Sequence, residues 1–555
     1  MSPDVVLLDP RDNLCVAARN LAAATRVGRG SRTVELSGDV PLGHKIALAP
    51  IAVGEPALKF GQIIGFASAP IRPGEWIHTH NLSAGEFARD CPRATDVPAN
   101  PPPLEGQTFL GYRRADGRAG TRNFIAVISS VNCSASVSRY IARRFDAAAL
   151  REFPNVDGVV AFTHGGGCGM QFDGLQHQIL NRVLGGIARH PNIGGYLLIG
   201  LGCETATIGH LMSEQRLVQI ESRRGLSPFV ERAPSPDGRW QKGTVPLSAG
   251  GSVAGALSLT PDLRSPTSDA VRPPVLSIQD QGGTQRTIEE GVRLVAQMLP
   301  QVNAVRREPI PASEIVLGTN CGGSDGNSGI TANPALGVAS NMLVAAGGTV
   351  VLAETSELYG AEQLLTRRAK TPAIADKLIE RIKWWEWYAR TFGATLDNNP
   401  SPGNKAGGLT TIYEKSLGAV AKGGSTALVE VYQYAEQVTA RGLVVMDTPG
   451  LDPVSVTGIV AGGANVVVFT TGRGSCFGCK PTPSIKVSSN TPLFERMRDD
   501  MDLDAGTILS GRSVAEVGRE IFTEILAVAS GKKTKSEQHG LGDEEFVPWT
   551  IGPVL

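Results

Sequence analysis

Apolar and polar positions along the chain change their rhythm twice. Residues 1–92 read as short strand-like runs, "VVLL", "NLCVAA", "TVEL", "HKIALA", "IIGFA" and "EWIHTHNL", cut by Gly, Pro and Asp, which predicts a small all-β unit. The stretch "CPRATDVPANPPP" then puts five prolines into thirteen residues. Such a run enters neither a helix nor a sheet interior, so a linker is expected over 93–105. Beyond it, continuous apolar runs alternate with helical patterns: "FIAVISSV" with "SASVSRYIARRF", "DGVVAFTH" with "LQHQILNRVLGGIARH", and "GGYLLIGLG" with a further helix. Runs of that kind are strands buried on both faces of a parallel sheet.

A polar stretch at about 222–274 interrupts the alternation and reads as loops or an insertion. The rhythm resumes with "SEIVLGTN", a helix over 331–346, "GGTVVLAET", the long amphipathic "AIADKLIERIKWWEWYARTF", then "ALVEVYQY", "GLVVMDTPG" and "ANVVVFTTGRG". The expected fold is therefore α/β, a β unit followed by two α/β domains with largely parallel sheets, at 106–308 and 309–530. Residues 531–555 read as a surface tail whose "VPWTIGPVL" could dock.

Composition narrows the chemistry. Lys plus Arg equals Asp plus Glu at 53 each in 555 residues, so no overall field selects nucleic acid or an anionic membrane. No apolar run reaches the roughly 18 residues that span a bilayer, and the first residues lack a signal-peptide pattern. A cytoplasmic protein with a small-molecule substrate is expected. Eight cysteines in so long a chain are too sparse for a disulfide scaffold and are expected as thiols.

Four apolar runs end in glycine-rich turns: "AFTHGGGCGM", "LLIGLGCET", "VLGTNCGGSDG" and "VFTTGRGS". Ligands of open α/β sheets bind at carboxyl ends of strands. These turns deliver Cys168, Cys203 and Cys321, and Cys133 follows another strand. Thiolates suit iron or an iron–sulfur cluster. His78 and His80, two apart in a predicted strand, share a face and with His44 form a candidate metal set. His164 is a candidate general base. Arg122, Lys405 and Arg473 lie in glycine-rich turns and suit a carboxylate, and a desolvated lysine can also act as base. The phosphate-loop and dinucleotide glycine spacings are absent, and "CFGCK" is a single CxxC without a second pair.

Taken together, "GYRRADGRAGTRN", "HGGGCGM", "LIGLGCE", "CGGSDGNSGITANPALG", "YGAEQLL", "NPSPGNKAGG" and "TTGRGS" resemble the altronate and galactarate dehydratases. The opening "VPLGHKIAL", "KFGQIIGFA" and "WIHTHN" resembles that family's SAF domain, a β-clip module. The resemblance implies an iron(II)-dependent hydro-lyase that converts a six-carbon 2,3-dihydroxy acid to a 2-keto-3-deoxy acid. "HTH" and "YGAEQLL" point to altronate ahead of galactarate, while "SCFGCKPTPSIK" matches neither branch in its cysteines. On this resemblance His44, His78 and His80, with strand-end cysteines, are expected to hold a mononuclear iron. An iron–sulfur centre on Cys133, Cys168, Cys203 or Cys321 is the variant. His164 or Lys405 would be the base, with Cys321 beside it. Gly322, Gly323, Ser324, Asp325 and Asn327 would wrap the substrate by close backbone approach, together with Arg122 and Arg473. A homodimer is expected. A sugar-acid binding protein without turnover, or a lyase of another 2-hydroxy acid, would use the same scaffold.

Overall fold

The protein is described here by a computed structural model covering residues 4–29, 32–87, 89–217 and 274–551. The first unit is all-β. Its four-stranded antiparallel sheet runs in the order Val5–Val6, Leu14–Ala17, Lys45–Ala47, Trp76–Ile77, with a three-stranded sheet of Pro56–Lys59, Gln62–Ala67 and Leu82–Ser83 beside it. The proline-rich stretch that follows is strapped to the last domain by backbone bonds from Ala94, Asp96 and Leu104 to the carbonyls of Thr366, Arg367 and Ala345.

The second unit has a four-stranded parallel sheet ordered Gly158–Phe162, Phe124–Ser129, Ile193–Gly200, Val275–Ser277. The third has seven parallel strands ordered Leu428–Tyr432, Gly442–Met446, Thr349–Leu352, Val316–Cys321, Val466–Thr471, Ser484–Ser488, Leu503–Asp504. All six residues of Phe124–Ser129 and of Val466–Thr471 are buried, as helices on both faces require. A small antiparallel sheet in which Thr108–Arg113 pairs with Ala119–Gly120 and with Glu308–Pro311 joins the two α/β units. Their seam is tightened where Gly186 meets the Ala461 carbonyl and Thr121 donates to the Asn465 carbonyl at 2.6 Å.

Several elements were missed in the sequence, among them the helix Thr284–Ala304, the strand Ser484–Ser488 and the edge strand Leu503–Asp504. The interrupted stretch at 222–274 lies, but for Pro274, outside the described residues. The surface tail requires correction, while the docking allowed for "VPWTIGPVL" is met at Trp549. Thr534 and Ser536 are buried, Phe546 packs edge-on against Phe162, and Trp549 stacks on Trp385 at 5.2 Å. Apolar rings spaced through a polar segment give no periodicity, yet they anchor it across both α/β units.

Candidate active site

The order in which strands are added to the seven-stranded sheet reverses at Val316–Cys321. The chain leaves this strand through Ala332–Ala345 to Thr349–Leu352 on one side, and returns through Asp452–Ala461 to Val466–Thr471 on the other. Helices diverge at such a switch point and leave a crevice beyond the strand end. Cys321, the last residue of the central strand, is buried in it. Glu354 follows the neighbouring strand in a left-handed conformation, φ 67°, a strained choice for a side chain of this size that marks functional sites. It turns the carboxylate back over Cys321, whose N–H donates to Glu354 Oε2 at 3.0 Å.

The remaining groups converge from elsewhere in the chain. Lys422 Nζ donates to Cys321 Sγ at 2.9 Å and is ion-paired with Glu354. Glu357 accepts the Cys321 thiol at 3.8 Å, is paired with Lys415 at 2.8 Å and accepts Asn399 Nδ2 at 2.7 Å. Asn320 Nδ2 donates to Asp452 Oδ1 at 2.9 Å. Two ammonium groups and two carboxylates thus balance around a neutral thiol. Burial, helped by Glu354, pushes the Cys321 thiol up to about 12. Burial also raises the Glu354 carboxyl. For Lys422 burial opposes the charge, but Cys321 and Glu354 outweigh it and raise the ammonium. Asp452 is raised to about 7, by burial first and then by the Glu354 and Glu357 carboxylates. Among the described residues no hydrogen bond reaches the buried Asn320 Oδ1, Ser324 Oγ and Glu354 Oε1, so two acceptors and a hydroxyl face the interior of the site.

Two volumes adjoin this centre. One, of about 10 Å³, is walled by Cys321, Ser324, Lys415 and Lys59 and admits little more than a water. The other is a cleft of about 310 Å³ lined by Ser356, Trp385, Tyr388, Phe392 and Asn399, in the size range of small-ligand sites. Asn399 belongs to both cleft and centre, because its amide bonds Glu357 and Lys415.

The structure redistributes the residues singled out in the sequence. The glycine-rich turn is not an open ligand cradle. Gly322, Ser324, Asp325 and Asn327 are buried, and Gly323 is partly so. A Cβ on Gly326 would lie 2.0 Å from the Gly43 carbonyl, so the bare backbone admits the β domain. Asp325 is a structural hub that accepts from Ser328, Ser489 and Asn490. Arg122 is buried against Glu537 and donates to the Val528 and Lys532 carbonyls, so it latches the carboxyl-terminal segment. Arg473 is exposed, with its N–H on the Gly323 carbonyl. The Lys405 carbonyl accepts from His78 Nε2 at 2.9 Å.

The strand expected under the histidine set is corrected, although the His44 and His78 rings do lie together, stacked at 5.4 Å between centroids. The strand stops at Ile77, so His78 and His80 lie in a turn and share no strand face. His44 Nδ1 accepts from Trp76, its ring also bonds the Ala406 backbone, and His78 bonds Thr79 and Lys405. Burial first, then Lys45, lowers His44 to about 4. His80 only packs on Trp76. Both ring nitrogens of His164, the candidate base, are engaged: Nε2 bonds the Ser129 carbonyl at 3.0 Å and Nδ1 accepts the Gly166 N–H, while burial lowers it to about 4. Among the described residues the one group of three potential ligand atoms lying within 4.8 Å of one another is Cys321, Glu354 and Glu357, and the Lys422 ammonium already sits on two of them. Cys133, Cys168 and Cys203 are exposed at the strand ends of the second unit, whereas Cys321 is buried at a strand end of the third.

Glu354, Glu357, Lys415, Lys422 and Asp452 escaped sequence reasoning. The available signal was "LAETSELYG", two acids placed directly after an apolar strand.

Comparison with known proteins completes the description. Residues 312–554 match the family model for the D-galactarate/altronate dehydratase C-terminal region, residues 111–235 that for the D-galactarate dehydratase/altronate hydrolase second domain, and residues 3–85 that for the altronate/galactarate dehydratase SAF domain. The chain is similar to galactarate dehydratase (L-threo-forming) of Escherichia coli (strain K12), 37% identical over 542 residues, covering 96% of this chain and 94% of that protein. Altronate dehydratase of the same organism is 34% identical over 535 residues, 95% of each. The (2R)-sulfolactate sulfo-lyase subunit beta of Chromohalobacter salexigens is 29% identical over 449 residues, 80% of this chain and 97% of that one.

Proposed function

The chain belongs to the D-galactarate/altronate dehydratase family and is a hydro-lyase, and on that premise we propose that it removes water from a hexonate or hexarate to give a 2-keto-3-deoxy acid, with iron(II) as its metal. The observation that carries the reading is the coupled acid–base centre at the switch point. Loss of water across C2 and C3 needs a base for the C2 proton, an acid for the departing C3 hydroxide, and cations beside the developing enolate. Glu354, its carboxyl raised by burial, is a stronger base than a surface carboxylate. Asp452, neutral below about 7, supplies a proton. Lys415 and Lys422 supply positive charge, and the cleft beside Asn399 has room for the substrate. The enol left behind tautomerises to the keto acid. Iron, when bound, would supply Lewis-acid polarisation of a substrate oxygen.

The test is an anaerobic assay of purified protein over a panel of hexonates and hexarates with added iron(II), reading out 2-keto-3-deoxy acid. Chelator-sensitive turnover of altronate or galactarate is the expected result. Ligand-induced thermal shifts without turnover on any acid would replace the reading with that of a binding protein.

A pH profile tests the acid. Asp452 donates only while neutral, so kcat is expected to fall as pH rises through about 7. Asp452→Asn should lower kcat by about 10²-fold and remove that limb. A limb that persists in the variant would exclude Asp452. The same raised carboxyl contributes stability below its ordinary range that is lost as pH rises through about 7, because the unfolded chain releases the proton first.

A further inference from the structure

Three thiols that the acid–base centre does not use stand together at the carboxyl end of the four-stranded sheet. Cys168 follows Gly158–Phe162, Cys133 follows Phe124–Ser129, and Cys203 follows Ile193–Gly200, three strands adjacent in the sheet. All three thiols are free and exposed. Their loops are tied to one another, the Asn132 N–H to the Gly166 carbonyl and the Ala206 N–H to the Gly167 carbonyl, both at 2.9 Å. Gly167 has φ 97°, and a Cβ there would lie 2.4 Å from the Ser130 carbonyl, so the Cys168 loop can press onto the Cys133 loop only with glycine at this position.

Each thiol has a polar anchor in its own loop. Beside Cys133, the buried Ser134 donates to the Val131 and Ile199 carbonyls, each at 2.8 Å. In the Cys168 loop, His164 bonds the Ser129 carbonyl and the Gly166 N–H. Beside Cys203, the buried Glu204 accepts from Ser130 Oγ at 2.8 Å and from the Gly202 N–H at 2.6 Å. Gln279 Nε2 donates to Cys203 Sγ at 3.4 Å, an outer hydrogen bond of the kind that tunes thiolate ligands. An idle surface thiol needs no such positioning.

We propose that Cys133, Cys168 and Cys203 hold an iron–sulfur cluster of the cubane type through three of its irons, leaving one iron without a protein thiolate. A donor set of thiolates alone favours soft-ligand centres over a hard oxygen-ligated ion. The assignment moves the iron expected on His44, His78 and His80 to a different domain. It goes beyond the hydro-lyase reading and stands independently of it, since the acid–base centre is built by the other α/β unit.

The experiment reconstitutes the purified full chain anaerobically with sulfide and equal amounts of ferrous and ferric iron, which together supply the mixed-valence cluster without a further oxidant. Expected are near-equal iron and acid-labile sulfide, broad visible absorption, and an electron paramagnetic resonance signal on reduction. All should fall to background in the triple variant Cys133→Ser, Cys168→Ser, Cys203→Ser and persist in Cys476→Ser. Circular dichroism checks that the variants are folded, and the single variant Cys168→Ala, expected to hold less iron and sulfide, stands in should the triple variant fail that check. A folded triple variant that retains iron and sulfide, or a wild type that takes up iron without sulfide, would overturn the assignment. The two proposals fail separately. A wild type that builds the cluster and dehydrates no sugar acid would support the cluster and remove the activity, and a cluster-free triple variant with wild-type turnover would retain the activity and remove the cluster's role.

Discussion

Lys422→Met is expected to cost about 3–5 kcal/mol of stability and to lower kcat by about 10²-fold or more. Methionine nearly fills the space of the lysine stem, so the effect isolates the charge. Lys422 is enclosed, touching the Cys321 sulfur and the Glu354 carboxylate. Without it Glu354 keeps the Cys321 N–H and loses its ion pair. Its carboxyl, already raised by burial, rises further and takes up a proton. A carboxyl raised in the folded state contributes stability that is present below its unfolded value and lost as pH rises through the folded one. The deficit of the variant should therefore widen from mildly acidic to mildly alkaline pH in paired urea titrations. A variant that unfolds with wild type at both would show that the ammonium does not support this centre.

The sequence made some of this visible. Apolar runs located the central strands, because residues buried on both faces leave no polar alternation, and the glycine-rich turns marked the strand ends where Cys321 and the three rim thiols stand. Partnerships across the chain were not legible. Lys422 reaches Glu354 over 68 residues and Arg122 reaches Glu537 over 415, and nothing local to "GTRN" separates a latch from a carboxylate binder. Glycines around Asp325 invited a ligand reading because close approach looks the same in sequence whether the visitor is a sugar acid or the Gly43 carbonyl. The histidines misled for a local reason. An HxH pair shares a face only while the strand continues, and Asn81 accepts the His78 N–H at 2.9 Å to close a turn instead. Acids are common after strands, so the "LAETSELYG" signal was weak, and the left-handed backbone at Glu354 and the burial of both carboxylates are what set Glu354 and Glu357 apart.

Glu414→Gln is expected to loosen the β domain from the rest of the molecule, again at about 3–5 kcal/mol. Glu414 bridges Lys45 and Lys59, each at 2.8 Å, and all three side chains are buried. Lys45 also donates to the Gly408 carbonyl and Lys59 to the Gly326 carbonyl, so this triad pins the β unit onto the turn next to Cys321. Burial opposes the Glu414 charge, but the two lysines outweigh it and hold the carboxyl well below its usual range. Its contribution is thus present above the ordinary carboxylate range and lost in strong acid. Lys45 runs the other way: burial, only partly offset by Glu414, lowers it to about 8, and its penalty is relieved as pH rises past that value. Glutamine preserves shape while leaving two buried ammonium groups without a counter-charge, so the variant should recover partly at alkaline pH. Hydrogen exchange in Leu14–Ala17 and Lys45–Ala47, and proteolysis within 86–105, would report the loosening. The triple variant Lys45→Met, Lys59→Met, Glu414→Leu should return close to wild type, because well-packed apolar groups replace a buried charge network at little net cost. If Glu414→Gln left exchange and proteolysis unchanged, the triad would not be what holds the β domain in place; a triple variant as loose as the single one would mean that the interface depends on the charges themselves and not on their mutual compensation.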